Sequence, residues 1–404
     1  MRPTMNTTIE RISNLEREYV SEVLETQFAT SKGAKFMQRL ERAFSQRYNN
    51  FNAISFTNGT ATMHAALEAA GIGVGDEVIV PPLTMASTTF AVLQANASPV
   101  FADIDPNTFQ IDPADIERKI TKNTKAIITV AIYGGSPKLK EIREIADRYD
   151  LFLLEDNAEC FGGTYLDRPV GCYGHAASFS FQSSKHLSSG EGGILLIEDD
   201  ELADDVRRFQ SLGYAGVGSK APKIDKLTIQ DPNYKRHATV GFNYRMPELC
   251  AAVALAQVER MDELISLRIR AATAMEAICE KFPGVLTPQQ NYIGATNSYW
   301  TWVCKLNPNI NLVEFKKTFM DNGGDPFYGA WALTYNEPFI VNLEMYGRDK
   351  FLTPFSRNNL FAPNCPVADE LQPLLCQFQT NYYSDSDLET QCLALELTLN
   401  YFHG

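Results

Sequence analysis

The chain has 404 residues, which is enough to bury a large core and predicts two domains. Its formal net charge of −13 argues against a nucleic acid or an acidic membrane surface as the main partner, because both are bound by basic faces. The first twenty residues lack an apolar signal core, no apolar run is long enough to span a bilayer, and the cysteines are scattered without a CxxC pair, so we expect a cytoplasmic protein with no membrane segment, disulfide framework or zinc site.

The chain begins with two predicted amphipathic helices, at 8–25 and 34–48. In the second, Phe36, Leu40 and Phe44 recur at helical spacing and form one apolar face. Strands and helices then alternate. The predicted strands are 53–56, 77–80, 99–102, 124–132, 151–155, 176–181 and 193–197. The predicted helices between and after them are 61–71, 87–95, 113–120, 138–149 and 201–213. This alternation is typical of an α/β protein with a mostly parallel central sheet flanked by helices.

The second half of the chain is less regular. Residues 214–240 are polar and irregular, which predicts a long loop of the kind that is usually functional. Residues 247–282 are predicted to form two helices or one bent helix that leads into a second domain. We therefore predict a large domain at 1–260, including the N-terminal helical segment, and a smaller α+β domain at 261–404.

A glycine-containing turn, Asn58-Gly59-Thr60, follows a predicted strand and precedes a predicted helix. Free N–H groups at a helix start bind phosphate well, and Thr60 adds a hydroxyl. An ordinary helix cap explains the same residues, and for the turn taken alone it is the better explanation. The glycines at 71–75 follow a helix and precede a strand, which is the wrong order for a dinucleotide-binding loop.

An acidic residue, Asp156, follows the apolar strand predicted at 151–155. Ligands of open α/β sheets bind beyond the carboxyl ends of the strands, and a carboxylate buried there needs a cationic partner. A protonated pyridine nitrogen would be such a partner. Helix capping by Asp156 is an equally good explanation of this residue alone.

Lys185 lies in the segment 178–193, SFSFQSSKHLSSGEGG, among small hydroxylic residues and glycines. A surface lysine at a strand end is the simpler interpretation of this segment. A lysine that enters an apolar pocket from a strand end could instead form a Schiff base with a carbonyl carbon. The three features together fit one ligand, pyridoxal phosphate, with its phosphate near Thr60, its ring nitrogen at Asp156 and its aldehyde at Lys185.

The chain resembles the DegT/DnrJ/EryC1/StrS sugar aminotransferases, which have the fold type I architecture of aspartate aminotransferase. The resemblance covers about residues 10–400 and depends on five segments: NGTATMHAAL at 58–67, GDEVIVPPLT at 75–84, LEDNAEC at 154–160, SFSFQSSKHLSSGEGG at 178–193 and GFNYRMPELCAAV at 241–253. It implies pyridoxal 5'-phosphate as the cofactor, Lys185 as its Schiff-base lysine and Asp156 as the acid that keeps the ring nitrogen protonated.

The resemblance also implies the remaining cofactor contacts. Gly59 and Thr60 match the phosphate-binding turn, and Ser180 matches a phosphate-binding hydroxyl. Ala158 matches the small residue that packs on one ring face. Asn243 matches an asparagine that reaches the phosphate from the neighbouring subunit, which implies a homodimer with shared active sites.

Two positions depart from the family pattern. Glu159 stands where the family usually has Gln or His near the phenolic oxygen of the ring. A carboxylate there would repel a phenolate unless it is protonated or turned away. Met85 stands where an aromatic residue usually covers the other ring face, and a thioether also packs on an aromatic ring. These departures leave the family resemblance intact and weaken the two contacts.

By this resemblance the protein transfers an amino group from glutamate or glutamine to a keto or aldehydo sugar, for amino sugars of cell-surface polysaccharide or lipopolysaccharide. The segments 230–237 and 330–338 resemble the branch that acts on an 8-oxo octulosonate. A sugar dehydratase of the same fold is the alternative. That branch carries His at the lysine position, whereas here His186 follows Lys185. A non-catalytic regulator that binds pyridoxal phosphate is a further alternative, but the chain has no basic helix-turn-helix segment.

For the acceptor site, the sequence offers the loop at 214–240 and the segment 328–335. Within that segment Trp331 and Tyr335 have the i, i+4 spacing of ordinary core residues, which is the favoured interpretation. Arg245 and His237 are candidates to bind a carboxylate or a nucleotide phosphate. Surface salt bridges explain these two residues at least as well.

Overall fold

The computed structural model describes residues 9–28, 35–49, 51–218, 225–342 and 363–403. The strands of this part of the chain are β1 Asn52–Phe56, β2 Glu77–Val80, β3 Ser98–Phe101, β4 Thr124–Val130, β5 Phe152–Asp156, β6 Thr164–Tyr165, β7 Arg168–Pro169, β8 Ala176–Ser180, β9 Gly193–Ile197, β10 Leu286–Pro288, β11 Ala295–Thr296, β12 Trp302–Leu306, β13 Tyr328–Gly329 and β14 Leu375–Phe378.

The α-helices of the described residues alternate with these strands in the first half of the chain. They are α1 Asn14–Glu25, α2 Phe36–Arg47, α3 Gly59–Ala69, α4 Ser87–Gln94, α5 Pro113–Lys119, α6 Leu139–Arg148, α7 Asp200–Gln210, α8 Lys226–Gln230, α9 Glu248–Glu259, α10 Met261–Cys279, α11 Leu312–Asp321, α12 Pro338–Val341, α13 Pro366–Leu371 and α14 Asp385–His403. None of these helices is long and apolar enough to cross a bilayer.

The central sheet has seven strands in the order β1-β9-β8-β5-β4-β2-β3. Neighbouring strands from β8 through to β3 are parallel, and only β9 runs antiparallel to both of its neighbours. Six of the seven strands therefore point the same way, and their carboxyl ends meet at one edge. This arrangement confirms the predicted mostly parallel α/β sheet, and the strands on either side of Lys185, β8 and β9, pair antiparallel.

The boundaries differ from the predictions in several places. The strand predicted at 124–132 ends at Val130, because the chain turns at Tyr133, whose φ is 62°. Helix α1 begins at Asn14, where Ser13 and Glu16 form a capping box, and residue 8 of the predicted helix lies outside the described residues. The predicted loop at 214–240 contains the short helix α8, and its residues 219–224 are not described.

The helical stretch predicted at 247–282 is two helices, α9 and α10, which meet at Arg260. Helix α9 packs between α1, α2 and the sheet, since Ala251, Ala252 and Leu255 belong to one apolar cluster with Phe36 and Phe44. Helix α10 continues to the second, four-stranded antiparallel sheet, β10-β12-β14-β13.

The second sheet has an apolar cluster of its own, to which α10, α11 and α14 contribute. The core of the central sheet also takes in side chains from the second half of the chain, among them Trp300, Val303 and Leu375. The two halves therefore pack directly on each other. The predicted domain boundary at residue 260 stays a prediction.

Candidate active site

A cavity of about 400 Å³ opens at the edge where the parallel strands end, a volume within the range of small-molecule sites. Residues at or just beyond the carboxyl ends of β1, β2, β4, β5 and β8 contribute to its wall. The lining residues are Asn58, Gly59, Thr60, Met63, Thr84, Met85, Ser87, Val130, Asp156, Ala158, Glu159, Ser180, Gln182, Ser184, Lys185, Glu191, Trp300 and Trp331. Eight of the nine predicted site residues are in this set, and Asn243 is not.

Asp156 is the last residue of β5, is buried and lines the cavity. Thr88 Oγ1 donates to its Oδ2 at 2.8 Å, and the Ala158 N–H donates to its Oδ1 at 3.2 Å. Burial raises the pKa of Asp156, and these two hydrogen bonds and the charge of Lys185 partly offset that rise. A positive ligand group beside Asp156 would favour its ionised form.

Lys185 and Glu159 form an ion pair inside the cavity. Lys185 Nζ donates to Glu159 Oε1 at 3.2 Å, and only 12% and 5% of the two side chains are exposed. The Tyr133 N–H donates to the other oxygen, Oε2, at 3.0 Å. Burial raises the pKa of Glu159, and Lys185 opposes that rise. The carboxylate is therefore turned toward the lysine and held there by the turn at Tyr133.

The turn at Asn58 to Thr60 begins helix α3. The Asn58 side chain accepts from the Ala61 N–H at 2.8 Å, so the predicted helix cap is present, with Asn58 rather than Thr60 as the capping residue. The N–H groups of Gly59 and Thr60 lie in the first turn, where a helix offers no carbonyl partner. They remain suited to bind an anion at the positive end of the helix dipole.

Close packing explains the glycines at this turn. A methyl group on Gly59 would lie 3.2 Å from Ser180 Cβ, and one on Gly193 would lie 2.5 Å from the Asn58 carbonyl carbon. The start of α3 therefore lies directly against β8 and β9. This contact brings the Ser180 hydroxyl beside the helix terminus.

The two predicted ring-packing residues, Met85 and Ala158, both line the cavity, Met85 with half of its surface exposed.

Asn243 is exposed and pairs with Ser211 through an isolated bridge between their backbones. Arg245 and His237 are also exposed and are not among the lining residues. His237 Nδ1 lies within hydrogen-bond distance, 2.7 Å, of the Leu212 carbonyl oxygen.

Three aromatic residues of the 328–335 segment lie in different places, Tyr335 in the core, Trp331 at the cavity and Tyr328 on the surface. Tyr335 is buried, and its hydroxyl donates to Asp369 at 2.7 Å, so the core prediction is confirmed for it. Trp331 packs against the same core but is only half-buried, and it lines the cavity. It does not share a helix with Tyr335, because the chain there is extended and then forms a short 3₁₀ turn.

Sequence reasoning missed three neighbours of the predicted groups. Thr88 bonds to Asp156, and Lys185 Nζ lies 4.3 Å from the centre of the Trp300 ring. Glu191 adds a third carboxylate to the cavity wall. Thr88 could have been suspected, since it follows the 75–84 motif closely, but no spacing in the sequence indicates Trp300.

The groups present fit pyridoxal phosphate. A buried carboxylate lies where a protonated ring nitrogen would be stabilised, an amine lies where an aldehyde would be attacked, and a helix N-terminus is available for a phosphate. Asp156, Lys185 and the Gly59–Thr60 turn would hold the three parts.

Comparison with known proteins agrees with this fit. The profile of the DegT/DnrJ/EryC1/StrS aminotransferase family matches residues 10–325. A GDP-perosamine synthase of Caulobacter vibrioides is 36% identical over 313 residues, which cover 77% of this chain and 80% of that protein. A GDP-perosamine synthase of Vibrio cholerae is 30% identical over 375 residues, which cover 91% of this chain and 96% of that protein.

Among solved structures, an aminotransferase from Psychrobacter cryohalolentis superimposes with a TM-score of 0.85 at 26% sequence identity. The match covers 97% of this chain and 98% of that chain. The likeness therefore extends over both sheets, and not only over the part that carries the cavity.

Proposed function

Because the chain belongs to the DegT/DnrJ/EryC1/StrS aminotransferase family, we propose that it moves an amino group from glutamate or glutamine to a keto or aldehydo sugar, with pyridoxal phosphate in the cavity described above. The observation that carries the proposal is the convergence of Lys185, Asp156 and the Gly59–Thr60 turn on that cavity. These groups come from three separate strand ends.

Pyridoxal phosphate supplies an aldehyde that bonds reversibly to amines and a protonated ring that withdraws electrons from the adjacent carbon. Lys185 would hold the aldehyde carbon until the donor amine displaces it. The freed Lys185 amine would then carry a proton between the donor α-carbon and the cofactor, as a general base and then a general acid. Asp156 would keep the ring nitrogen protonated, and its bonds to Thr88 and Ala158 hold it in place.

Met85 and Ala158 would pack on opposite ring faces, and Ser180 would join the Gly59–Thr60 turn around the phosphate. Glu159 would lie near the amine, because it already contacts Lys185 and is held by the Tyr133 N–H. A protonated Glu159 carboxyl would donate a hydrogen bond where a carboxylate would repel a negative oxygen, and burial favours the protonated form.

A second copy of the chain would complete the site. Asn243 is exposed and outside its own cavity, next to the exposed apolar residues Val240 and Phe242, which are 81% and 41% exposed. Burial of these side chains against a partner would stabilise a homodimer. We infer that Asn243 reaches the phosphate site of the partner chain.

For the acceptor, the two relatives named as GDP-perosamine synthases favour a nucleotide-linked keto sugar. The 8-oxo octulosonate suggested by segments 230–237 and 330–338 is the second candidate. Of the other activities, the sugar dehydratase is disfavoured by the lysine at 185. A non-catalytic regulator is disfavoured because amine, acid and phosphate turn all line one cavity.

The test is a spectroscopic one. Protein loaded with pyridoxal phosphate should be yellow, and L-glutamate or L-glutamine should bleach the visible band as the cofactor takes up the amino group. A panel of GDP- and UDP-linked keto hexoses, with the 8-oxo octulosonate beside them, should then restore the band for the true acceptor. A protein that gains no band with the cofactor, or a band that neither amino acid bleaches, would contradict the proposal.

A further inference from the structure

Two of the three tryptophans in the chain, Trp300 and Trp331, line the cavity together. Their ring centres are 5.9 Å apart and their planes are inclined by 38°. Trp300 precedes β12 and Trp331 follows β13, so the pair joins two separate segments of the second half of the chain. The third tryptophan, Trp302, is 1% exposed and belongs to the core of the second sheet.

Polar contacts fix both tryptophans from behind. The Trp300 indole N–H donates to the Ser184 carbonyl at 2.9 Å, and Arg268 donates to the Trp300 carbonyl at 2.6 Å. Gln372 donates to the Trp331 carbonyl at 3.0 Å, and the Thr334 N–H bonds to the Pro82 carbonyl at 3.0 Å. Because these contacts hold the backbone of both residues and the edge of one indole, the two rings form a preorganised wall.

The charges on the remaining wall restrict what can lie against these rings. Among the lining residues that the structure describes, Glu191 is the one charged side chain that the proposed cofactor would leave unengaged, and it is acidic. A carboxylate or phosphate on the part of a substrate that contacts the wall would meet net negative surroundings. An uncharged ring avoids that repulsion.

We propose that Trp331, with Trp300, is an acceptor-specificity wall that receives the C–H face of an uncharged sugar ring. C–H groups on one face of a pyranose carry partial positive charge, and the face of an indole carries partial negative charge, so the two stack favourably. The proposal rests on the proposed function and narrows its acceptor to a neutral hexose ring, with any nucleotide or acid group held away from the tryptophans.

An amino-acid donor would depend much less on this wall. Glutamate and glutamine are short, acyclic and charged, and they have no extended apolar face to place on an indole. Trp331 should therefore affect the sugar half of the reaction far more than the amino-acid half. This asymmetry separates recognition of the sugar from general support of the site.

The test uses the protein loaded with pyridoxal phosphate and GDP-perosamine as the probe, because the sugar half-reaction also runs in reverse. Bleaching of the visible band against concentration gives the half-saturating concentration for GDP-perosamine and, separately, for glutamate. For Trp331→Leu, which keeps an apolar side chain without the ring, we expect that value to rise about tenfold or more for the sugar. The half-saturating concentration for glutamate should change less than about twofold, because the variant keeps the contacts that glutamate makes.

Trp331→Phe keeps an aromatic face and should restore most of the sugar affinity. Tyr328→Ala is the matched control, since Tyr328 is an aromatic residue of the same segment, is 70% exposed and is not a lining residue. Its half-saturating concentrations should match those of the wild type. Binding of the sugar should also quench tryptophan fluorescence in the wild type more than in Trp331→Phe.

Equal sugar affinity in wild type and Trp331→Leu would overturn the proposal, and so would equal losses in the sugar and glutamate half-reactions. A wild type that glutamate bleaches but GDP-perosamine does not, while the octulosonate amine does, would overturn the neutral ring and leave the aminotransferase function standing. If neither glutamate nor either amino sugar bleaches the visible band of the wild type, the proposed function itself is contradicted.

Discussion

Lys185 Nζ lies 3.2 Å from Glu159 Oε1, although the two residues are 26 positions apart and both side chains are almost fully buried. The contact forms because β5 and β8 are neighbours in the sheet, so the segments that follow them meet at its carboxyl edge. Before a ligand arrives, each group is the other's counter-ion. A buried charge without such a partner is costly.

Replacement of Glu159 by Gln should therefore destabilise the cofactor-free protein, by about 3 kcal/mol, because Lys185 loses its buried counter-ion. The free energy of unfolding in urea measures this effect. With pyridoxal phosphate present the difference should shrink, since the proposed Schiff base would engage the lysine nitrogen. Glu191→Gln is the control, because Glu191 is an exposed carboxylate on the same wall.

A double-mutant cycle isolates the pair. If the ion pair is the cause, Glu159→Gln combined with Lys185→Met should cost less than the sum of the two single changes. Strict additivity, or an equal loss in Glu191→Gln, would show that the contact between Lys185 and Glu159 does not stabilise the protein.

Thr88 and Thr89 are adjacent, both buried, and differ in their hydrogen bonds. Thr88 Oγ1 donates to Asp156 Oδ2 at 2.8 Å, whereas Thr89 Oγ1 has no partner among the described residues. Thr88→Val should cost about 1–3 kcal/mol and weaken cofactor binding, because it leaves the buried Asp156 carboxylate with one donor fewer. Thr89→Val should be neutral or stabilising in the same urea titrations. The reverse order of the two variants would contradict a supporting role for Thr88.

Gly193 and Gly73 give a second matched comparison. An alanine methyl at Gly193 would lie 2.5 Å from the Asn58 carbonyl carbon and 2.7 Å from the Gly59 nitrogen, so the Asn58–Thr60 turn must move. At Gly73 the nearest atom is the Ala95 carbonyl oxygen at 3.6 Å, an ordinary contact. Gly193→Ala should cost about 1–3 kcal/mol and raise the dissociation constant for pyridoxal phosphate, which a fluorescence titration measures. Gly73→Ala should match the wild type in both.

The strand and helix pattern of the first half was predictable because apolar alternation and turn residues are local signals. The end positions of β1, β5 and β8 led to the prediction that the Asn58–Thr60 turn, Asp156 and Lys185 lie at one site, and in the structure all three line the cavity. Strand order was not predictable in this way, because it depends on contacts between distant segments. The pairing of Lys185 with Glu159 follows from that order and was missed.

The second half of the chain shows more clearly that local sequence patterns do not predict contacts between distant segments. Trp331 and Tyr335 are both aromatic and lie four positions apart, so the sequence pattern predicts the same core location for both. In the structure Tyr335 is in the core and Trp331 lines the cavity. The Thr334 N–H bonds to the Pro82 carbonyl, and this contact holds the segment beside the cavity residue Thr84, so that Trp331 lies at the cavity wall. No local pattern encodes a contact between residues so far apart in the chain.

His64 should give the protein a measurable loss of stability in weak acid. It lies on α3, is 2% exposed, and packs edge-on against Phe209 and Phe242 at 5.3 Å. Burial lowers its pKa from 6.5 to about 4. Its Nε2 lies 3.3 Å from Glu68 Oε1, so near pH 7 this contact is a hydrogen bond of a neutral ring rather than an ion pair.

Below pH 6.5 the unfolded chain takes up a proton at His64 that the folded chain refuses until about pH 4. The contribution of His64 to the free energy of unfolding is therefore fully present above pH 6.5. It falls by about 3 kcal/mol toward pH 4, since each pH unit of this window corresponds to about 1.4 kcal/mol. His64→Gln, which is neutral throughout, should show a shallower fall in urea titrations at about pH 7.0, 6.0, 5.0 and 4.5. Glu68→Gln should leave the pH 7.0 value nearly unchanged. If instead Glu68→Gln destabilises strongly at pH 7.0 and His64→Gln keeps the full slope, His64 is charged in the folded protein.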